Sequence, residues 1–477
     1  MNSRDAQRSS IPLKVLVSTM IILGILIIAA GVATYIVPAG SFKEVTQEGT
    51  HTRIYERIEQ TPVPIWKIAL APLLSLTGKN GPKIIVLLFF ILFIGGSFSI
   101  MLYSGIVPAL LGKLVQRFAE KKIILLILSI LVFSLMGSCL GIFEELIPMI
   151  VIFVPLALSM GWDSLTGLAI VLLSLGFGFS AATLNPFTLG TAQRLADLPL
   201  FSGLMLRLPL FVITTSLVTV FILRYVNKIK RDPTISVTYQ GDQKIKKVLA
   251  PETVPGAIKN IRAVVAYIVF CFVLIIGVVI GGTVIKLVQD FAFPLIMLVF
   301  LIMGVGSGFI CGAGAKNVFR FFARGLGDFA PAIIIILMAF AVGYLIEIGN
   351  VMDTILYQIA QTTRGLGKNT AALSLYFCQM LINFFVPSGS GQAALTIPIL
   401  APLGDLIGIN RQIVVLAYHM GDGFSNLIWP TNPLLLIALG LARVSYKDWF
   451  KWVLPIQLVL MAVCMLFLLL AVSINYS

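Results

Sequence analysis

Glu144 and Glu145 stand inside the otherwise apolar run 123–160, and His419 and Asp422 inside the run 412–442. Charge in such a setting is costly and marks an ion or substrate path by default. Chain breakers and small polar residues accompany them. The first half has Gly176-Phe177-Gly178-Phe179-Ser180, Thr183 and Asn185-Pro186; the second has Pro387-Ser388-Gly389-Ser390-Gly391-Gln392, Gly421-Asp422-Gly423-Phe424-Ser425-Asn426 and Pro430-Thr431-Asn432-Pro433. Glycine removes a side chain and proline an N–H, so backbone groups freed there can ligate ions or substrate. Half-helix N-termini favour anionic groups and C-terminal ends favour cations. The candidate substrate- and ion-binding residues are therefore Glu144, Glu145, Ser180, Thr183, Asn185, Ser388, Ser390, Gln392, Asp422, Ser425, Asn426, Thr431 and Asn432, with Na+ at the helix breaks or a transported proton as coupling ion. Blander readings stand beside these: a kink needed only for packing at either break, a helix N-cap in a water-filled vestibule for Glu144 or Glu145, and a structural partner of Asp422 for His419, three residues away on one helix face.

The elements that must hold these residues are membrane helices. Of 477 residues, 58% are hydrophobic and 11% charged, with a mean hydropathy of +1.02; soluble domains carry about 25% charge. Ten or more apolar runs leave no room for a large soluble catalytic domain. The net charge of +14 fits basic loops between spans better than nucleic acid binding. The five cysteines lie in apolar stretches without C-x-x-C spacing and read as packing residues. The run from Val15 to Val37 is too long for a signal-peptide core and reads as an uncleaved first helix.

Two runs are too long for one span. Each of 123–160 and 371–403 reads as a re-entrant hairpin whose polar tip sits at membrane depth. The other nine, 15–37, 84–111, 165–192, 199–223, 263–283, 291–313, 330–349, 412–442 and 450–473, would cross, the runs 165–192 and 412–442 as broken helices. With the N-terminus inside, 22 of the 34 Lys and Arg fall on the cytoplasmic side, an asymmetry that supports this topology. Residues 1–223 and 263–477 form two halves, joined by a solvated basic cytoplasmic linker at 224–262. Glu145 to Gln392, Pro155 to Pro402, Gly161 to Gly408 and Asn185 to Asn432 share an offset of 247. The first hairpin opens inward and the second outward, so the halves are inverted repeats, the architecture of secondary transporters. The fold class is an all-α, multi-pass integral protein of the cytoplasmic membrane.

The sequence resembles the YfcC family, within the wider ion transporter superfamily that also holds anaerobic four-carbon dicarboxylate carriers. The resemblance spans essentially the whole chain. Its most specific stretches are Val386 to Leu395, Pro398 to Leu403, Asn410-Arg411-Gln412 and Gly421 to Asn426. It implies a scaffold domain, a moving transport domain containing the hairpins, a homodimer, and carriage of basic amino acids with arginine/ornithine exchange among its members. Thr431-Asn432 departs from the Thr-Ser of many members. From the residues themselves, no Lys or Arg falls in either tip or break, so the carboxylates suit a substrate ammonium or guanidinium. A substrate α-carboxylate would rest on hairpin N–H groups around Ser388 to Gly391. The expected function is alternating-access transport, of elevator type, of a basic amino acid. The alternatives are Na+- or H+-coupled carboxylate transport, an ion channel, or an intramembrane hydrolase built on Ser390, His419 and Asp422. No Walker A, EF-hand or H-E-x-x-H pattern is present, so no cofactor is implied.

Overall fold

The computed structural model describes residues 13–47, 50–118, 120–249, 260–285, 287–288 and 291–477. Arg4, Arg8 and residues 250–259 of the linker, which carry part of the topology argument, lie outside the described residues. The chain runs α1 Leu13–Ile36, β1 Gly40–Gln47, β2 Thr50–Arg57, α2 Ile65–Leu74, α3 Gly81–Tyr103, α4 Ile106–Arg117, α5 Lys122–Leu135, α6 Ile150–Ser159, α7 Ser164–Ser180, α8 Leu189–Leu195 and α9 Leu204–Arg231. The second half continues with α10 Tyr239–Leu249, α11 Ile261–Val284, α12 Ala292–Ile310, α13 Ala315–Ile348, α14 Met352–Arg364, α15 Lys368–Phe385, α16 Gly389–Ile407, α17 Arg411–Ser425, α18 Pro433–Ala442 and α19 Tyr446–Ser473.

Among the described residues nine helices are long and apolar enough to cross a membrane, but they are not the nine expected. The first arm of the hairpin at 123–160 and the second arm of that at 371–403 qualify, as Lys122–Leu140 and Gly389–Ile407, whereas the runs 165–192 and 412–442 are cut into shorter helices. The run 84–111 also breaks, at Gly105 with φ +84°. The segment 313–329, expected as a connection, is instead the first half of α13, continuous through Pro331. The connection 38–83 is likewise structured: β1 and β2 pair antiparallel, and Phe42 N donates to Asp353 Oδ2 at 3.0 Å, fastening the hairpin to α14.

One set of helices packs through small residues, the pattern that lets helices approach where lipid supplies no hydrophobic drive. A Cβ on Gly325 of α13 would lie 2.6 Å from Gly95 O and 2.7 Å from Gly96 Cα of α3, and one on Gly304 of α12 would lie 2.6 Å from Ser97 Cα. α1 adds to α13 and α11 to α12. The other set is centred on α7 and α17, which lie side by side and are buried along nearly their whole length. α5 and α6 flank α7; α15 and α16 flank α17.

In both flanking pairs the chain goes out and comes back. Lys122 Nζ at the start of α5 donates to Met160 O just past α6, at 3.0 Å. Lys368 Nζ at the start of α15 lies 3.3 Å from the Cβ position of Gly408, just past α16. The first pair turns at a π-helical segment, Met136–Leu140, that ends on Gly141 at φ +68°. The second turns at Val386-Pro387-Ser388.

The linker is no solvated loop where it is described. Asp242 of α10 is buried and accepts from Ser164 N at 3.0 Å, from Ser164 Oγ and from Thr238 Oγ1 at 2.8 Å. Asp163, the N-cap of α7, accepts from Thr166 N at 2.8 Å and from Tyr225 and Ser236 hydroxyls at 2.6 Å each. The two carboxylates satisfy the orphan N–H groups of the α7 N-terminus and dock α10 there. Burial holds the Asp242 carboxyl above its ordinary value.

Candidate functional site

α7 stops at Ser180 and α17 at Ser425, and the two ends abut: a Cβ on Gly423 would lie 2.6 Å from Ser180 Cα. Beyond each end the side-chain oxygen of an asparagine accepts from the backbone N–H two residues on, holding a turn at Asn185 and capping α18 at Asn432. Asn185 Oδ1 accepts from Phe187 N at 2.9 Å, and Asn432 Oδ1 from Leu434 N at 2.9 Å. The nearby hairpin arm reaches over each break. Ser138 Oγ donates to Ala181 O at 3.0 Å and accepts from Thr183 N at 3.2 Å. Asn383 Nδ2 donates to Asp422 O at 2.8 Å, Ser425 Oγ at 2.7 Å and Asn426 Oδ1 at 3.0 Å. Ser138 and Asn383 stand 245 residues apart, the interval that also separates Ser180 from Ser425.

Most of the expected polar residues are therefore occupied internally. Ser180 and Ser425 bond back to Gly176 O and Gly421 O. Thr183 engages Ser138, and Asn426 receives Asn432 Nδ2 at 2.7 Å. Gln392 Nε2 donates to Gln379 Oε1 at 2.6 Å. Among the buried side-chain atoms without a hydrogen-bond partner in the described residues are both oxygens of Asp422, Gln392 Oε1, Thr431 Oγ1 and Asn383 Oδ1. Buried oxygens with unused lone pairs suit a cation or a proton donor.

His419 does not pair with Asp422. Its Nε2 lies 2.9 Å from Thr188 Oγ1 and its Nδ1 3.3 Å from Ser180 O, so it bridges the first break to the second. Ser390 is exposed and joins neither residue in a hydrolytic constellation. Asp422 instead faces the start of α16, where its Oδ2 lies 3.0 Å from the Cβ position of Gly389. The helix dipole favours a carboxylate there. A substrate carboxylate resting on the same N-terminus would therefore lie beside Asp422.

A cavity of about 400 Å³ opens between the two helix sets, with Lys79, Lys83, Glu347 and Asp353 on one side and Glu144, Ser388, Gly391 and Pro433 on the other. Lys83 Nζ lies 3.5 Å from Glu144 Oε1, and Lys79 Nζ 3.5 Å from Glu347 Oε1. A cation therefore does reach the turn between α5 and α6, supplied by Lys83 in the first turn of α3, which the absence of Lys and Arg from tips and breaks left out. Glu145 and Ser390 are not among the lining residues. Sequence reading also missed Ser138, Thr188, Gln379 and Asn383, single polar residues within apolar runs, and Arg207, an arginine inside the run 199–223 whose very presence there was the signal.

Two curated relatives match most of the chain. The Escherichia coli (strain K12) protein named "Putative basic amino acid antiporter YfcC" is 33% identical over 390 residues, 79% of this chain and 75% of its own. An uncharacterized protein of Haemophilus influenzae is 28% identical over 371 residues, 77% of this chain and 71% of its own. Among solved structures the chain aligns loosely with the YdaH transporter of Alcanivorax borkumensis, at 16% identity and TM-score 0.40 over 96% of this chain and 97% of that one. MtrF of Neisseria gonorrhoeae, described with a class of antimetabolite efflux pumps, aligns at 16% identity and TM-score 0.41 over 99% and 97%. Matched over residues 16–473, the chain belongs to the DcuC family of C4-dicarboxylate anaerobic carriers.

Proposed function

We propose that this carrier moves a basic amino acid by alternating access, exchanging it for a related amine-bearing product. The observation that carries the reading is the group of buried oxygens around Asp422, whose two carboxylate oxygens have no cationic partner among the described residues. An ammonium or guanidinium group satisfies them, whereas a second carboxylate is repelled. Lys83 and Lys79 line the cavity that reaches Ser388, next to the Gly389 that Asp422 faces, and would take the α-carboxylate of the same substrate. The name of the Escherichia coli relative agrees with this substrate class.

In this reading α5–α6 and α15–α16 are re-entrant hairpins of two inverted repeats, supported by the Lys122–Met160 and Lys368–Gly408 closures and by the matched roles of Ser138 and Asn383. The set around α7 and α17 slides as an elevator against the set around α3 and α13, with the cavity as the outward-facing vestibule of a homodimer's subunit. Asp422 and its neighbours also provide oxygen for Na+ or a proton as coupling ion.

A second reading is favoured by the two lysines in the cavity and by the family's description. Lys79 and Lys83 would hold the two carboxylates of a four-carbon diacid while Asp422 takes Na+ or a proton. Counterflow in proteoliposomes separates the two, using labelled arginine, ornithine, a neutral amino acid and a four-carbon dicarboxylate, with and without Na+. Saturable arginine or ornithine exchange is the expected result. Dicarboxylate uptake driven by Na+ or a proton gradient, without amino acid flux, would establish the second reading instead.

A further inference from the structure

Arg207, in the first turn of α9, is 1% exposed, and its Nε and Nη2 have no hydrogen-bond partner among the described residues. Arginine does not escape burial by losing its proton. An ionised group left buried without a counter-charge costs several kcal/mol, so such a residue calls for an anion. The groups that act on it from the packed elements are the Tyr476 hydroxyl, just past α19, and the His419 imidazole of α17. Neither is a carboxylate. Tyr476 OH also donates to Gly203 O, which places the start of α9 beside it. Gly203 brings no side chain to cap the first N–H groups of α9, and those groups favour negative charge as well. Gln412 stands against the same glycine, its Nε2 2.7 Å from the Cβ position, and donates to Ser202 Oγ at 2.7 Å.

We propose that Arg207 is the centre of a small-anion site, binding a carboxylate group or a halide, where the start of α9 meets α17 and the end of α19. The guanidinium supplies two N–H donors and the charge. The surrounding amide and hydroxyl groups, among them the Tyr476 hydroxyl that hydrogen-bonds the guanidinium, supply polarity. The site is independent of which substrate the vestibule takes. It binds either an inorganic anion or the carboxylate of a transported molecule, and the chemistry of recognition is the same.

The test is thermal unfolding of the full-length protein in detergent, in sodium HEPES at constant ionic strength, while HEPES is replaced by chloride, bromide or formate, or while arginine or succinate is added. Wild type is expected to gain Tm saturably with chloride or formate, or with the added carboxylates alone. The first pattern assigns the site to inorganic anions and the second to a substrate group. Arg207→Met is expected to abolish the response, and Arg207→Lys to raise the half-saturating concentration at least tenfold. Should Arg207→Met not fold, Arg207→Lys and the wild-type titration decide. A wild-type Tm indifferent to every anion, or an undiminished response in the arginine variants, overturns the proposal. Loss of transport of every tested substrate, with the anion response intact, would overturn the transport reading alone.

Discussion

At the scale of single residues, Asp422 carries two expectations of opposite sign. Its carboxylate is buried without a cationic partner among the described residues, so the resting protein bears a desolvation cost that a neutral amide of the same shape avoids. Asp422→Asn is therefore expected to keep or raise the Tm in detergent. Transport should fail at the same time, because a cationic ligand loses its buried counter-charge, worth about 2–5 kcal/mol. Proteoliposome uptake of arginine and ornithine measures the second effect; unchanged uptake at every pH and Na+ concentration would remove Asp422 from the path. Asp422 was legible in the sequence because a lone acid in an apolar run has few explanations. The roles of Asn185 and Asn432 were not: type and spacing marked them, but only the fold shows that the Asn432 side-chain oxygen caps the following helix while that of Asn185 holds the turn before Leu189. An asparagine beside a proline has the same composition whether it faces a ligand or its own backbone.

At the scale of elements, length and polar tips in the sequence marked where 123–160 and 371–403 turn, whereas the way a turn meets a break depends on contacts between distant segments. Gly141 is the clearest case. It sits at φ +68°, and a Cβ there would run into the Asn185 side chain. Gly141→Ala combines left-handed strain with that clash, and an unfolding cost of about 1–3 kcal/mol is expected, read as a lower Tm with no change in ligand preference. The linker was the larger misreading, since its basic residues announced a solvated segment while one acid, Asp242, sets the docking of α10. Asp242→Ala is expected to speed amide exchange across 239–249 by loss of hydrogen bonds worth about 1–3 kcal/mol. The pH dependence has a definite sign. Burial raises the folded-state value of Asp242, so the folded form binds more protons. The contribution of this group is greatest below the unfolded value and declines as pH rises through the folded one. Protection of α10, corrected for intrinsic exchange, should therefore increase on mild acidification in wild type and lose that component in Asp242→Asn.

At the scale of the molecule, the two helix sets touch across the cavity through the Lys83–Glu144 pair, which joins α3 to the turn between α5 and α6. Both side chains are partly exposed, so the pair adds no more than about 1 kcal/mol to stability, and Lys83→Met should leave the Tm within a few degrees of wild type. Its position matters more than its energy. Small-residue contacts lock α3, α12 and α13 to one another, while a cavity separates part of that set from the turn that carries Glu144. If the set around α7 and α17 slides as proposed, it carries Glu144 past Lys83. A short bismaleimide bridging Cys introduced at 83 and 144 is therefore expected to abolish exchange, and reductive cleavage of a disulfide-containing linker of equal length to restore it. Free exchange in the fully cross-linked protein would mean that the two sets do not move past each other at this point. The direction of access is tested separately. Lys246→Cys in α10 should react with a membrane-impermeant maleimide only from the cytoplasmic side and Lys67→Cys in α2 only from the other. That assignment rests on the 22 of 34 basic residues gathered on one side. If that sidedness holds, the cavity lined by Lys79 and Lys83 faces outward and the docked α10 stands at the inner end of α7, so under the proposed elevator movement substrate would leave past α10.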